Sequence, residues 1–300
     1  MTRILLVGAN GQLGQELRHT LASGNAVTAV GRAELDLSNT DAIRQLIQTT
    51  APDVIVNAAA YTAVDKAETD EAMAKTVNAI APTIMAEESQ KLGATLVHVS
   101  TDYVFNGQKN TPYLETDTPD PLGVYGRTKL MGEDGIRQSC DRSIIIRTAW
   151  VYGVQGKGNF VKTMLRLGAE REELRVVVDQ VGSPTWTQDL AGAIATLVQK
   201  VDMSDAAAEG ILGLYHYANS GITSWYDFAI AIFAEAEALG FPLAIKQVMP
   251  ITTAEYPTPA QRPAYSSLSN RRIAEVIGEQ PPHWRKSLQK MLAELHTIRP

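Results

Sequence analysis

The 300-residue chain is 45% hydrophobic and 20% charged, which is enough apolar material for one large domain or two unequal ones. Its formal charge of −6 is spread without long single-sign runs, which argues against a nucleic-acid footprint or a polybasic membrane patch and leaves small molecules or other proteins as partners. The single cysteine, Cys140, cannot close an internal disulfide, and the opening MTRILLVG is too short and polar-flanked for a signal peptide or membrane span, so a cytoplasmic setting is expected.

In chain order, RILLV (Arg3 to Val7) predicts a buried strand, and GANGQLG follows it directly. Gly8, Gly11 and Gly14 open a helix predicted over Gln12 to Ala22. Glycines at this spacing permit a tight strand-to-helix turn and let backbone amides approach a pyrophosphate at the helix N-terminus, so the turn with Asn10, Gln12 and Leu13 is the expected dinucleotide site. A second strand, AVTAV (Ala26 to Val30), ends in VGRAELD. That strand end should read the adenosine ribose, and Arg32 either meets a 2′-phosphate or is an ordinary surface residue. After a helix over Thr40 to Thr49 comes the strand DVIVN (Asp53 to Asn57), then Ala58, Ala59, Ala60, Tyr61 and Thr62. The alanines either let backbone pass close to a cofactor or mark tight helix–sheet packing. An amphipathic stretch over Asp70 to Lys91 precedes the strand TLVHVS (Thr95 to Ser100), and Thr101 follows at its carboxyl end. VYGRTK then begins a helix over Tyr125 to Gln138, and SIIIR (Ser143 to Arg147) is the next strand.

Strands this apolar on both faces, alternating with helices, predict an α/β fold with a Rossmann-type doubly wound parallel sheet over residues 1–150. Beyond Trp150 the pattern loosens, with GVQGKGN, VGSPTW and EYPTPAQRP separating the strands LRVVVD and GLYHYA. Residues 151–300 read as a smaller substrate-binding lobe, interleaved with the first and walling a cleft. The alanine-rich SDAAAEG around Asp205 reads as a surface loop.

A tyrosine with a reference pKa of about 10 is a poor acid at neutral pH unless a cation stabilises its phenolate. Lys129, one helical turn after Tyr125, can supply that cation and also reach a nicotinamide ribose. With Thr101 to orient a carbonyl, the set suits carbonyl reduction by hydride transfer. Each part has a plainer reading, since Tyr/Lys pairs are common on exposed helices and a threonine after a strand is often a cap.

The ordered set GANGQLG, PDVIVNAAAYTAVDKAE, HVSTDYVFNG, PLGVYGRTKLMGE, IIRTAWVYG, GKGNFVKTMLRL, DQVGSPTW and YPTPAQRP resembles the dTDP-4-dehydrorhamnose reductases, a family of extended short-chain dehydrogenases/reductases, over essentially the whole chain. The resemblance implies reduction of the 4-keto group of dTDP-4-dehydro-L-rhamnose by NADPH or NADH. It implies Tyr125 as acid, Lys129 as its partner, Thr101 on the carbonyl, Asp102 and Trp150 near the sugar, and Asp36 and Leu37 at the adenine edge. It also implies a magnesium ion held at a homodimer interface, for which the matching positions are Glu16, Asp189 and Glu294. The diphosphate needs its own grip, for which Lys157, Asn159 and Arg262 are candidates. Two other functions share these motifs. A nucleotide-sugar dehydratase or epimerase needs a further acid and base, yet Tyr103 stands where the related dehydratases carry glutamate. A regulatory subunit, like the accessory subunit of methionine adenosyltransferase, has no need of Thr101, Tyr125 and Lys129 together. The five histidines and Cys140 show no metal-ligand spacing, and His98, within a buried strand, reads as a satisfied core residue. Trp186, Trp225 and Trp284 read as packing residues.

Overall fold

The computed structural model describes residues 1–202 and 210–298, so the alanine-rich loop expected around Asp205 lies outside the described residues. Six parallel strands form the main sheet. The first five are β1 (Arg3–Val7), β2 (Ala26–Val30), β3 (Val54–Asn57), β4 (Thr95–Thr101) and β5 (Ser143–Thr148). The sixth is Gly213–His216, and from it the spatial order runs β5, β4, β3, β1, β2. This far strand comes from the second half of the chain and pairs with β5 from Ile144 to Arg147. The order reverses between β1 and β3, and a crevice opens beyond the carboxyl ends of the strands, where doubly wound sheets bind ligands.

The helices of the first half are α1 (Gln12–Thr20), α2 (Thr40–Thr50), α3 (Val64–Ala67), α4 (Glu71–Lys75), α5 (Ala81–Leu92) and α6 (Val124–Ser139). β3 and β5 are buried along their whole length because helices cover both sheet faces. On one face Leu13 and Leu17 of α1 pack with Leu190 and Ile194 of the helix Thr187–Asp202. On the other, Ile43 and Ile47 of α2 meet Met85 of α5 and Ile136 of α6. The Asn39 side chain caps α2 by accepting the Ala42 N–H at 3.0 Å.

The stretch expected as one helix over Asp70 to Lys91 is a continuous but uneven rod. Between α4 and α5, Thr76–Ile80 is a π-turn, in which the Ala81 N–H reaches back to Thr76 O. Pro82 has no N–H to give Asn78 O, so the ordinary ladder cannot pass this point. The Asn78 side chain is thereby turned to the loop after β3, where its oxygen accepts the Tyr61 N–H at 2.8 Å.

The second lobe has its own core. Tyr152, Leu165, Trp186, Phe228, Ile232, Trp284 and Leu288 pack together there, contributed mainly by the helices Phe160–Glu170, Trp225–Ala238 and Trp284–Thr297. A parallel ladder between Glu173–Val177 and Gln247–Ile251 lies alongside these helices. Among the described residues no helix is long and apolar enough to cross a membrane.

Candidate active site

The turn after β1 builds the first wall of the cleft. Gly8 sits at φ +87°, and a Cβ there would lie 2.6 Å from Ala59 N, so only glycine lets this turn pass the loop after β3. Gly11 is the N-cap of α1 and brings no side-chain cap, which leaves the helix's first amides for another acceptor. The expected cofactor residues Gly8, Asn10, Gly11, Gln12, Leu13, Arg32, Asp36, Leu37 and Ala58 to Thr62 all line one cleft of about 1010 Å³. Gly14 is buried behind the turn. The uncapped amides at the start of α1 suit the pyrophosphate of a dinucleotide.

At the ribose end, Arg32 and Asp36 are exposed. The Asp36 carboxyl is held below its usual range, chiefly by the Ser38 N–H. Glu34 is not idle there, since its carboxylate accepts the Gly31 N–H at 2.8 Å and pins the turn that presents Arg32.

The reactive floor of the cleft is made where α6 crosses the end of β4. Glu68 accepts the Val124 N–H at 2.8 Å and fixes the start of α6. A Cβ on Gly126 would lie 2.1 Å from Tyr103 O, so glycine at that place lets the helix lie directly on the turn after β4. Tyr125 and Lys129 thus face Thr101 and Asp102 across the cleft floor. The Thr101 hydroxyl donates to Asp102 Oδ1 at 3.0 Å and accepts the Tyr103 N–H at 3.2 Å, and it stands near enough to the Tyr125 phenol to favour the phenol's charged form. The Tyr103 ring meets Tyr125 edge-on with centroids 5.5 Å apart.

Burial governs the charges here. It pushes the Tyr125 phenol up to about 12, with Thr101 pulling down and Asp102 adding to the rise. It raises the Asp102 carboxyl to about 6 and lowers the Lys129 amine to about 8. Asp102 Oδ2 and the Thr148 hydroxyl are buried at this floor without a hydrogen-bond partner among the described residues, although the Ser266 hydroxyl is near enough to Asp102 to favour its charged form. The Tyr/Lys spacing suggests that the amine acts directly on the phenol, but the contacts are different. Lys129 Nζ donates to Val99 O at 2.7 Å and lies 3.0 Å from His98 Nε2.

The expected substrate residues separate into two groups. Trp150 and Lys157 line the cleft with Thr101 and Asp102. Trp150 is held at φ 48°, rare for a bulky residue, and stacks on Trp225 with centroids 3.5 Å apart. Asn159 caps the helix Phe160–Glu170, and its amide donates to Gln12 Oε1 at 2.7 Å and Gly153 O at 2.8 Å. It therefore ties the second lobe to the glycine turn. Arg262 donates to Asp65 at 2.8 Å, to Ala260 O and to the Thr258 hydroxyl, so its guanidinium is largely engaged.

The three acids expected around magnesium do not form a set. Asp189 accepts from Asn219 at 2.7 Å and Ser287 at 2.5 Å inside the second lobe, and only Glu16 and Glu294 feel one another's charge. Among the described residues no group of three His, Cys, Asp or Glu is placed to hold a metal ion.

Sequence reasoning passed over Asn57, Ser100, Glu133 and Arg147, and read His98 as a satisfied core residue. Glu133 is buried and takes a fork from Arg147, with Nε–Oε1 at 2.9 Å and Nη2–Oε2 at 2.6 Å, together with a 2.5 Å bond from Ser100. The signal was available, since a helix facing the sheet should not carry a carboxylate at Glu133 unless a strand supplies its counter-ion.

Comparison with known proteins agrees with this layout. The family described as RmlD substrate binding domain matches residues 1–297. A dTDP-4-dehydrorhamnose reductase of Burkholderia thailandensis is 43% identical over 98% of this chain and 99% of its own. The crystal structure of a dTDP-4-dehydrorhamnose reductase from Clostridium acetobutylicum superposes with a TM-score of 0.89 at 39% identity, covering 98% of this chain and 99% of that one. One from Bacillus anthracis, solved in complex with NADP, gives 0.89 at 37% identity with the same coverage.

Proposed function

The chain belongs to the family of the RmlD substrate binding domain, whose close relatives are dTDP-4-dehydrorhamnose reductases, and from that premise we propose that it reduces the 4-keto group of dTDP-4-dehydro-L-rhamnose to give dTDP-L-rhamnose. The observation that carries this reading is the cleft itself, whose floor gathers Thr101, Tyr125 and Lys129 and whose other end is the glycine turn. When bound, NADPH supplies a hydride to the keto carbon. Gly8, Gly11 and the first amides of α1 would hold its pyrophosphate, and Arg32 the 2′-phosphate that distinguishes it from NADH.

The protein's part is positional and protonic. Thr101 hydrogen-bonds the substrate carbonyl and keeps it beside the Tyr125 phenol. Because burial raises the phenol's pKa, Tyr125 is fully protonated at neutral pH and can give its proton to the oxygen as negative charge develops there. Lys129, on the same helix face one turn on, steadies the phenolate left behind and can meet the nicotinamide ribose. Trp150 offers its face to the sugar, and Lys157 a charge to the diphosphate. Elimination is less well served. Desolvation raises the half-buried Tyr103 phenol above its ordinary value, so the group standing in the place of the dehydratase glutamate stays neutral and cannot take a ring proton.

The test is to mix the protein with NADPH carrying deuterium at the transferable position and with dTDP-4-dehydro-L-rhamnose. One NADPH should be consumed per sugar, with deuterium appearing on the former carbonyl carbon. Turnover of the sugar without net NADPH loss would favour an epimerase or dehydratase, and binding without turnover a regulatory subunit.

A further inference from the structure

The partners of Lys129 do not match those an ammonium requires. A charged lysine brings three N–H donors and no acceptor. Val99 O takes one donor at 2.7 Å, but the other near neighbour, at 3.0 Å, is a ring nitrogen of the buried His98. Whether that nitrogen accepts or donates is decided on the opposite side of the ring. There His98 Nδ1 lies 3.1 Å from Asn57 Nδ2. The Asn57 amide cannot be turned over, because its Oδ1 accepts the Ala59 N–H at 3.1 Å and a flipped amide would set N–H against N–H. Asn57 therefore donates into Nδ1, and a neutral imidazole must carry its one proton on Nε2. That proton points at Lys129 Nζ.

We propose that His98, oriented by Asn57, is a positioning residue that donates its Nε2–H to the Lys129 amine and holds that amine uncharged until the cleft offers it an anionic or hydroxyl partner. The alternatives each put donors face to face. A doubly protonated ring and an Nδ1–H tautomer would each set an N–H against the Asn57 amide, and an ammonium at Lys129 would set one against Nε2–H. To take its third proton, Lys129 must turn off the histidine while keeping Val99 O. Its charge is thereby linked to what occupies the cleft. On the functional reading above, that occupant is the Tyr125 phenolate or a cofactor hydroxyl, so the amine becomes a cation only when the reaction needs one.

The charged and titratable groups around this amine are compatible with the proposal. Tyr125 lies one turn before it on α6, and burial keeps that phenol protonated. Glu133, one turn after, favours the ammonium, yet its charge is already met by the Arg147 fork from β5 and by Ser100 from β4. Asp102, just past the end of β4, lies beyond Thr101 and raises Tyr125. Burial lowers Lys129, and burial with the nearby amine lowers His98 well below its ordinary value. Both groups are thus moved toward their neutral forms.

The test uses the full chain labelled with ¹⁵N-histidine, without added nucleotide, at pH 7 to 9. The His98 ring signals, assigned by their loss in His98→Gln, should show Nε2 protonated and Nδ1 bare. An Nδ1–H tautomer or a doubly protonated ring would overturn the proposal, whatever the outcome of the turnover assay. A second reading follows the ¹⁵Nζ signal of Lys129 through its titration. In His98→Gln the amide oxygen can accept from an ammonium, so the midpoint should rise by about one pH unit, a tenfold change in proton affinity. An unchanged midpoint in the folded variant would reduce His98 to a packing role.

Discussion

The two ends of the cleft hold ionisable groups under opposite conditions. At the ribose end Arg32, Glu34 and Asp36 are open to water, and Asp36 is lowered chiefly by the N–H of its neighbour Ser38. On the floor Asp102 and Lys129 are enclosed, and the Tyr125 environment is dry although part of its ring reaches the cleft. There the acids are raised and the base is lowered, so every one of these groups is moved toward its neutral form. On the proposed function, charge would read the ligand where water is present, and where water is excluded it would be created by a partner at the moment it is used.

The strongest way to break this contrast is to remove the floor's acid. Tyr125→Phe should lower turnover by about 10²- to 10⁴-fold, the usual cost of losing a general acid, with NADPH affinity nearly unchanged. Stopped-flow reduction alongside a nucleotide titration separates the two effects. A folded variant with near-normal turnover would remove Tyr125 from the mechanism.

The fork behind the floor should be next in size. Glu133→Gln leaves the buried Arg147 guanidinium without its counter-ion, and unpairing a buried ion pair costs about 3–5 kcal/mol. Denaturant unfolding should show a loss of that order. By contrast, Arg166→Ala, which breaks an exposed pair with Glu170, should change stability by about 0.5 kcal/mol or less.

Asp102 tests the dry floor through pH. Its folded pKa of about 6 lies above the unfolded value, so between the two the folded state binds a proton that the unfolded chain has released. Stability from this group is fully present below about pH 4 and is lost as pH rises through about 6, by up to about 3 kcal/mol. Asp102→Asn should therefore raise the melting temperature at pH 8, with little gain at pH 3.5. An equal gain at both values would mean that the carboxylate is not desolvated. If Asp102 also holds the sugar, the stabilised variant should lose affinity for the keto sugar.

The smallest effect belongs to the wet end. Arg32→Ala should weaken NADPH by about tenfold, the order of one charge-assisted contact in water, and leave NADH unchanged. Isothermal titration with both nucleotides measures the difference directly. Equal losses for the two cofactors would make Arg32 part of the loop's structure and not a reader of the 2′-phosphate.

The sequence by itself determined the first half of the fold and the glycine turn. Runs such as ILLV (Ile4 to Val7) and III (Ile144 to Ile146), apolar at successive positions, read as strands covered on both sides, and glycine before the first helix has a local reason visible in the chain. The spacing of Tyr125 and Lys129 also placed both on one helix face, because that depends only on helical period. Three other features were decided by tertiary structure. Gly213–His216 became the outermost strand of the first sheet through pairing with β5, a contact between segments far apart in sequence. Asn159 and Arg262, polar residues in open-looking loops, have their donors engaged by Gln12 and Asp65 from the first half. His98, which in sequence is one polar residue in an apolar strand, lies between Asn57 on β3 and Lys129 on α6. Local periodicity decides which residues face inward. Which of them then touch, and which proton each must carry, depends on strand register and helix crossing, and these exist only once the sheet and its covering helices have assembled.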